Sequence, residues 1–258
     1  MSNLVSIITP AYNCSQTLAE TIDSVLHQTY SNWEMLIVDD CSSDDTADIA
    51  AAYAQKDSRI KLIRMPQNSG SAAARNAAIQ NAKGRFIALL DSDDLWKPEK
   101  LERQLTFMQE NGYSFTFTAY EIFKNSLDQR RRIFEVPAKI SYRQYLCNSI
   151  IGCLTVMVDK EQIPDFHMET GYLEDVLTWM YYLRQGVVAY GLNENLASYR
   201  QSEQSKSARK IKNAQRYYQC LKQQKDIGFA SRLFSQIGYA YHASAKRLFS
   251  KRTKSGRE

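Results

Sequence analysis

The chain has 258 residues, of which 44% are apolar, 24% charged and 11% aromatic. These are ordinary globular proportions, and ten glycines and five prolines exclude collagen-like and low-complexity chains. The net charge of +5 is unevenly placed: residues 206–258 hold 14 Lys/Arg against 2 Asp/Glu, and the first 205 hold 19 against 26. An acidic body with a basic tail suggests a polyanionic partner for the tail, either anionic lipid headgroups or nucleic acid.

In chain order, residues 4–9 (LVSIIT) form a short apolar strand, and Leu18, Ile22, Val25 and Leu26 recur at helical spacing. Residues 35–38 predict a second strand, followed by a helix over 46–55. A third strand over 60–64 leads to an Ala-rich helix over 71–82, and a fourth strand falls at 86–90. The next helix is expected to start near Lys97, with Pro98 in its first turn. Alternation of this kind predicts an α/β fold: a mainly parallel sheet with helices on both faces and ligands beyond the strands' carboxyl ends.

After Gly112 the pattern changes. Residues 113–122 alternate as a half-buried strand, 124–139 read as an exposed loop, and 153–158 as another strand. A helix is expected over 174–183, with one or two short strands over 187–199, so this half should mix strand directions. From about Ala208 the chain reads as basic helix with Tyr217, Leu221, Phe229, Leu233, Ile237, Tyr241 and Leu248 as apolar anchors. The simplest organisation is one domain over 1–205, with halves near 1–110 and 111–205, and a helical extension over 206–258.

No apolar run approaches the ~18–20 residues that span a bilayer. The start MSNLVSIITP lacks a basic segment followed by a long apolar stretch, so no secretory signal is expected. Five scattered cysteines without CxxC argue for a reducing compartment and against a disulfide framework or structural zinc. His27, His167 and His242 are dispersed, and the GxSxG elbow of a serine hydrolase is absent. The aromatics of the second half read as core.

Five constellations could carry chemistry. Asp91-Ser92-Asp93-Asp94 follows the fourth strand. Three carboxylates in four residues repel one another, which a divalent cation with oxygen ligands would offset; the same residues also suit an acidic loop before a helix. Asp39 and Asp40 end the second strand, where a carboxylate can accept a hydrogen bond from a base or ribose, or simply shape a turn. Asp44 or Asp45 could cap the following helix. Thr9-Pro10-Ala11-Tyr12-Asn13 ends the first strand. Pro10 should terminate its ladder, and Tyr12 can lie against a planar base, although a plain turn explains the segment equally well. Small residues 70–74 precede Arg75, which could face a diphosphate. This segment is neither a P-loop nor a GxGxxG fingerprint. Glu174-Asp175 opens a helix, where carboxylates often only complement the dipole.

In this order and spacing the segments resemble the family 2 glycosyltransferases of the GT-A fold. The matching stretches are SIITPAYN (6–13), LIVDDCSSDDT (36–46), NSGSAAARNAAI (68–79), GRFIALLDSDDLWKPEKLE (84–102) and LED (173–175), within roughly residues 4–205. The resemblance implies a nucleotide-binding half fused to an acceptor half, and an inverting transfer from a nucleotide sugar, most often a UDP-sugar. It assigns Pro10, Ala11, Tyr12, Asn13, Asp39 and Asp40 to the uracil and ribose, and Arg75 and Ser92 to the nucleotide pocket. Asp91 and Asp93 match the DxD element that binds Mn²⁺ or Mg²⁺, with Asp91 also facing the donor. Asp175 matches the catalytic base.

The chain departs from the family pattern at Cys41, where glycine is usual, and after Tyr199-Arg200, where a following histidine is absent. No QxxRW signature is present, so one hexose or N-acetylhexosamine per acceptor is expected. The tail loosely resembles bacterial enzymes that build surface polysaccharide on lipid-linked precursors, with a β-linkage formed. That implies a peripheral position on the inner face of the cytoplasmic membrane, held by the basic C-terminal helices, and no nucleic-acid partner. Two alternatives remain at this point. A nucleotidyltransferase would need a GxGTR-like loop where PAYNC stands; a nucleic-acid-binding protein would use the tail but is opposed by the acidic body.

Overall fold

The computed structural model describes residues 3–123, 131–201, 210–249 and 251–253. The first half alternates as β1 (Val5–Ala11), α1 (Leu18–Leu26), β2 (Trp33–Asp39), α2 (Thr46–Lys56), β3 (Ile60–Arg64), α3 (Ser71–Asn81) and β4 (Phe86–Leu89). Then come β5 (Leu95–Trp96), α4 (Lys100–Asn111), β6 (Phe115–Phe123), β7 (Arg131–Phe134), β8 (Lys139–Ile140) and α5 (Tyr142–Tyr145). A 3₁₀ turn (Cys153–Thr155) precedes β9 (Met157–Asp159), α6 (Glu174–Arg184) and β10 (Ala189–Arg200). Helices α7 (Lys210–Gln223) and α8 (Phe229–Phe249) and a short β11 (Lys251–Thr253) complete the described residues.

Strands β4-β1-β2-β3 are mutually parallel, so the tips of β1, β2 and β4 share one edge. Beyond β4 the sheet is mixed: β9 runs antiparallel to β4 and β6, while β10 runs parallel to β6. Alternate residues of β1 feed opposite faces. Ile8 packs with α3, α6 and α7, whereas Val5 and Ile7 pack with α1 and α4. This is the α/β architecture expected of a GT-A fold.

Several local expectations are corrected. Pro10 does not end its strand: β1 runs on to Ala11, paired with β2 through Asp39. Pairing with β4 stops at Ile8, whose carbonyl accepts from Leu90. Pro10 has the same parity as Ile8, so its missing N–H faces an edge with no ladder left to complete. Helix α4 starts at Lys100, not Lys97, because β5 intervenes and pairs with β10. Pro98 therefore lies before the helix, its carbonyl accepting from Thr29 N–H. The loop read over 124–139 contains β7, with 124–130 outside the described residues. The strand read over 153–158 is a 3₁₀ turn followed by β9, and 187–199 holds the single strand β10.

Tyr217 and Leu221 of α7 are fully buried in the main core cluster. Phe229, Leu233, Ile237 and Tyr241 of α8, expected as anchors, are instead exposed. The side chain of Leu248 lies outside the described residues. Periodicity identifies an apolar face but not what covers it.

Candidate active site

The tips of β1 and β2 are zipped together. Asp40 N–H donates to Ala11 O at 2.8 Å, Asn13 N–H donates to Ser42 Oγ at 3.0 Å, and Asn13 Oδ1 accepts from Ser43 N–H at 2.8 Å. Two residues here adopt left-handed backbone, Asn13 at φ 47° and Cys41 at φ 62°. Cysteine thus holds the conformation that glycine would take most cheaply. Tyr12 stands 52% exposed above this junction. Asp44, not Asp45, serves the start of α2: it accepts from Thr46 N–H and from Ser15 N–H. Slight burial opposes its charge, but these bonds outweigh it and pull the carboxyl down to about 2.

Asp39 and Asp40 are both buried. Asp39 Oδ1 accepts from Ser42 N–H at 3.3 Å, which shapes the loop. Asp40 reaches the other way: its two oxygens accept from Ser69 N–H and Gly70 N–H, each at 2.8 Å. Gly70 has φ 87°, a conformation suited to glycine, and immediately precedes α3. Asp40 therefore fixes the entry of α3 against the tip of β2.

From α3, Ser71 hydroxyl donates to Glu174 and Arg75 contacts two carboxylates. Arg75 Nη2 donates to Asp91 Oδ1, and Nη1 lies 3.3 Å from Glu174 Oε1. Burial opposes the guanidinium charge, but Asp91 and Glu174 more than offset that cost and hold its pKa above the ordinary value. One buried cation thus joins the β4 tip to the start of α6. Asp175 follows Glu174 and accepts from Val176 N–H at 2.8 Å. Burial first, and Glu174 second, push its carboxyl up to about 6.

The acidic loop after β4 is anchored by side-chain hydrogen bonds from the start of α1 and from the end of β10. Thr17 Oγ1 donates to Ser92 O at 2.9 Å, Thr21 Oγ1 to Asp94 O at 2.9 Å, and Arg200 Nε to Asp93 O at 2.8 Å. Asp94 is fully buried and accepts from Arg200 N–H through Oδ1, while Oδ2 has no partner among the described residues. Burial raises its pKa well above the carboxylate range. Burial, and next the charge of Asp91, push Asp93 up to about 6.

Among the described residues no three His, Cys, Asp or Glu side chains are grouped to hold an ion alone. A cation here needs further oxygens, which is how Mg²⁺ and Mn²⁺ bind through one or two carboxylates plus substrate phosphates. Asp93, beside Asp91 in a partly buried loop, fits such a shared site: a cation would offset both the burial and the neighbouring charge that raise its pKa.

The expected residues therefore form one connected edge: Pro10–Asn13 with Asp39 and Asp40, then α3 and Arg75, then Asp91–Asp93, with Asp175 beside Glu174. Ser92 contributes its backbone carbonyl to the loop's anchoring. Sequence reasoning missed the structural parts played by Glu174, Ser71 and Arg200. Glu174 adjoins the flagged aspartate, and Arg200 belongs to the dipeptide noted for its missing histidine, so both positions were marked without their contacts being visible.

Residues 6–158 match the family described as Glycosyl transferase family 2, and the chain belongs to that family. It is a glycosyltransferase. It is 42% identical over 246 residues, 95% of this chain and 98% of the relative, to TuaG of Bacillus subtilis (strain 168), named for teichuronic acid biosynthesis. It is 42% identical over 219 residues to Escherichia coli WfgD, named as a UDP-Glc:alpha-D-GlcNAc-diphosphoundecaprenol beta-1,3-glucosyltransferase, covering 84% of this chain and 85% of that one. The fold is shared with S. aureus TarS, solved with UDP-GlcNAc, at TM-score 0.69 and 20% identity, over 95% of this chain and 73% of TarS. Membership sets aside the nucleotidyltransferase reading and the reading of the chain as a non-catalytic protein. Among the described residues no helix is long and apolar enough to cross a membrane.

Proposed function

We propose that the chain moves a single hexose from a UDP-sugar to a saccharide carried on a lipid diphosphate, with inversion, to build a surface polysaccharide. The observation that carries this reading is the Arg75 junction. It draws Asp91, at the β4 tip, and Glu174, beside Asp175, to one cation although they stand 83 positions apart in sequence. A donor-side acid pair and an acceptor-side base are thereby held in fixed relation.

In this reading Tyr12 lies against the uracil, and Pro10, Ala11, Asn13, Asp39 and Asp40 form the base and ribose end of the slot. Asp93, with Asp91, would hold Mn²⁺ or Mg²⁺, and the ion would supply positive charge to offset the charge that develops on the leaving diphosphate. Asp91 and Ser92 border the donor sugar, and Arg75 keeps Asp91 aimed. Asp175 accepts the proton of the acceptor hydroxyl as its oxygen bonds to the anomeric carbon. The bond to UDP breaks with its electron pair leaving on the diphosphate, so an α-linked donor gives a β-linked product. A base so placed contributes about 10²–10⁴-fold.

The substrates of WfgD, and of Escherichia coli WfaP at 38% identity with the same activity in its name, support UDP-glucose as donor and a GlcNAc-diphosphate lipid as acceptor. A lipid-bound acceptor and a basic C-terminal segment together favour work at the inner membrane surface. The test is UDP release across a set of UDP-sugars with a synthetic GlcNAc-diphosphate lipid, with and without Mn²⁺. Turnover with UDP-glucose that EDTA abolishes supports the proposal; a metal-independent rate, or no turnover with any donor, refutes it.

A further inference from the structure

Helix α8 is seated on the body by one face only. Ser235 is buried, Tyr239 stacks on Tyr217 at 4.0 Å between ring centroids, and Gln236 Nε2 donates to Ala214 O at 3.0 Å. A Cβ on Gly238 would lie 2.9 Å from Cys147 Cβ, so glycine lets the helix backbone approach residue 147 closely. On the opposite face, Phe229, Leu233, Phe234, Ile237 and Tyr241 are each 50–72% exposed. At ~100° per residue these five fall within an arc of about 140°. Among the described residues they are five of the seven large apolar side chains left exposed, and all lie on one helix. A contiguous apolar stripe of this size ordinarily marks an interaction surface.

The inner edge of α8 borders a cleft of about 440 Å³ whose polar lining is Lys139, Arg143, Gln144, Asn148 and His242. Among the described residues no carboxylate lines it. Among the described residues neither Lys139 nor Arg143 has an ion-pair partner. An apolar stripe beside an uncompensated cationic cleft matches the two layers of an anionic bilayer surface: acyl chain and headgroup phosphate. The chain beyond residue 205 adds a charge of the same sign.

We propose that α8 lies in the bilayer interface with Phe229, Leu233, Phe234, Ile237 and Tyr241 toward the acyl chains, and that the Lys139–Arg143–His242 cleft takes a lipid headgroup phosphate. The proposal deepens the membrane-surface reading above by naming the face and the headgroup site. It does not depend on which sugar is transferred.

The test uses the full chain and flotation with vesicles of pure phosphatidylcholine or of phosphatidylcholine with 30 mol % phosphatidylglycerol. The wild type should partition at least 30-fold more strongly onto the anionic vesicles. A Lys139→Ala/Arg143→Ala double variant should lose about 30-fold of that partition, on ~1 kcal/mol per basic side chain near the surface, and keep its weak binding to neutral vesicles. Ile237→Glu, at an exposed position, should lose binding to both, and Phe234→Ala gives a milder loss in a variant with no new charge. UDP release onto a water-soluble acceptor should be unchanged in all variants, which separates failure of this proposal from failure of the transferase reading. Equal partition of wild type and variants overturns it. So does light scattering that shows a dimer which Ile237→Glu dissociates, because a second copy would then cover the stripe.

Discussion

Arg75 and Glu174 stand 99 residues apart in the chain and 3.3 Å apart in space. The same guanidinium bonds Asp91, so the buried cation has one carboxylate from each half of the molecule. Removing it leaves two carboxylates facing each other with little water. Breaking a buried ion pair from one side costs about 3–5 kcal/mol. Arg75→Ala should lower the unfolding free energy by that amount in urea titration. Arg75→Lys should recover only part of it, since an ammonium lacks the planar fork that serves two acceptors.

Asp175 carries opposite consequences for stability and turnover. Its folded pKa of about 6 lies above the ordinary 3.8, so the folded state holds a proton that the unfolded state releases. Stability therefore falls as pH rises from about 4 to 6 and stays lower above that window. Asp175→Asn removes the cost and should raise stability at pH 7.5 by roughly 1–3 kcal/mol, while cutting kcat by about 10²–10⁴-fold. In the wild type, kcat should drop as pH falls through about 6, because a protonated carboxyl cannot accept the hydroxyl proton. Chemical denaturation at pH 4 and 7.5, with a pH–rate profile, reads both effects.

Asp93 separates binding from folding. Its carboxyl is driven to about 6 by burial and by Asp91, so the ionised form is unfavourable without a counter-charge. Asp93→Ala should weaken UDP binding in the presence of Mn²⁺ by about 10²-fold and leave metal-free thermal stability equal or higher. Calorimetric titration of UDP with and without Mn²⁺ measures this. Unchanged Mn²⁺-dependent affinity in the variant would take the ion away from this loop.

The strand tips were legible because each functional loop follows a short apolar run, and apolar runs separated by amphipathic helices define a parallel sheet. What joins the loops was not. Asp40 reads in sequence as a ligand contact or turn, yet both oxygens hold the entry of α3 through Ser69 and Gly70 N–H. No local pattern encodes that, because the partners lie 29 and 30 residues away. The start of α4 was misplaced for a related reason: β5 exists only because β10 is present to pair with it. The α8 residues read as apolar anchors because their spacing is that of any half-buried helix, and burial depends on a neighbour that this face lacks among the described residues.

Cys41 offers a test of the loop that is independent of chemistry. Its φ of 62° is left-handed, a region that costs an L-residue roughly 1–2 kcal/mol. Glycine would remove that strain, but its unfolded chain is more flexible by about 0.5–1 kcal/mol. The difference favours Cys41→Gly by about 0.5–1 kcal/mol, a rise in Tm of about 2 °C for a chain of this size. Cys41 is exposed, so no packing is lost in exchange. Because Asn13, Ser42 and Ser43 hold the loop through their own hydrogen bonds, the variant should keep the wild-type affinity for UDP. A fall in Tm on differential scanning calorimetry would show that cysteine's side chain stabilises the turn by more than its backbone strain costs.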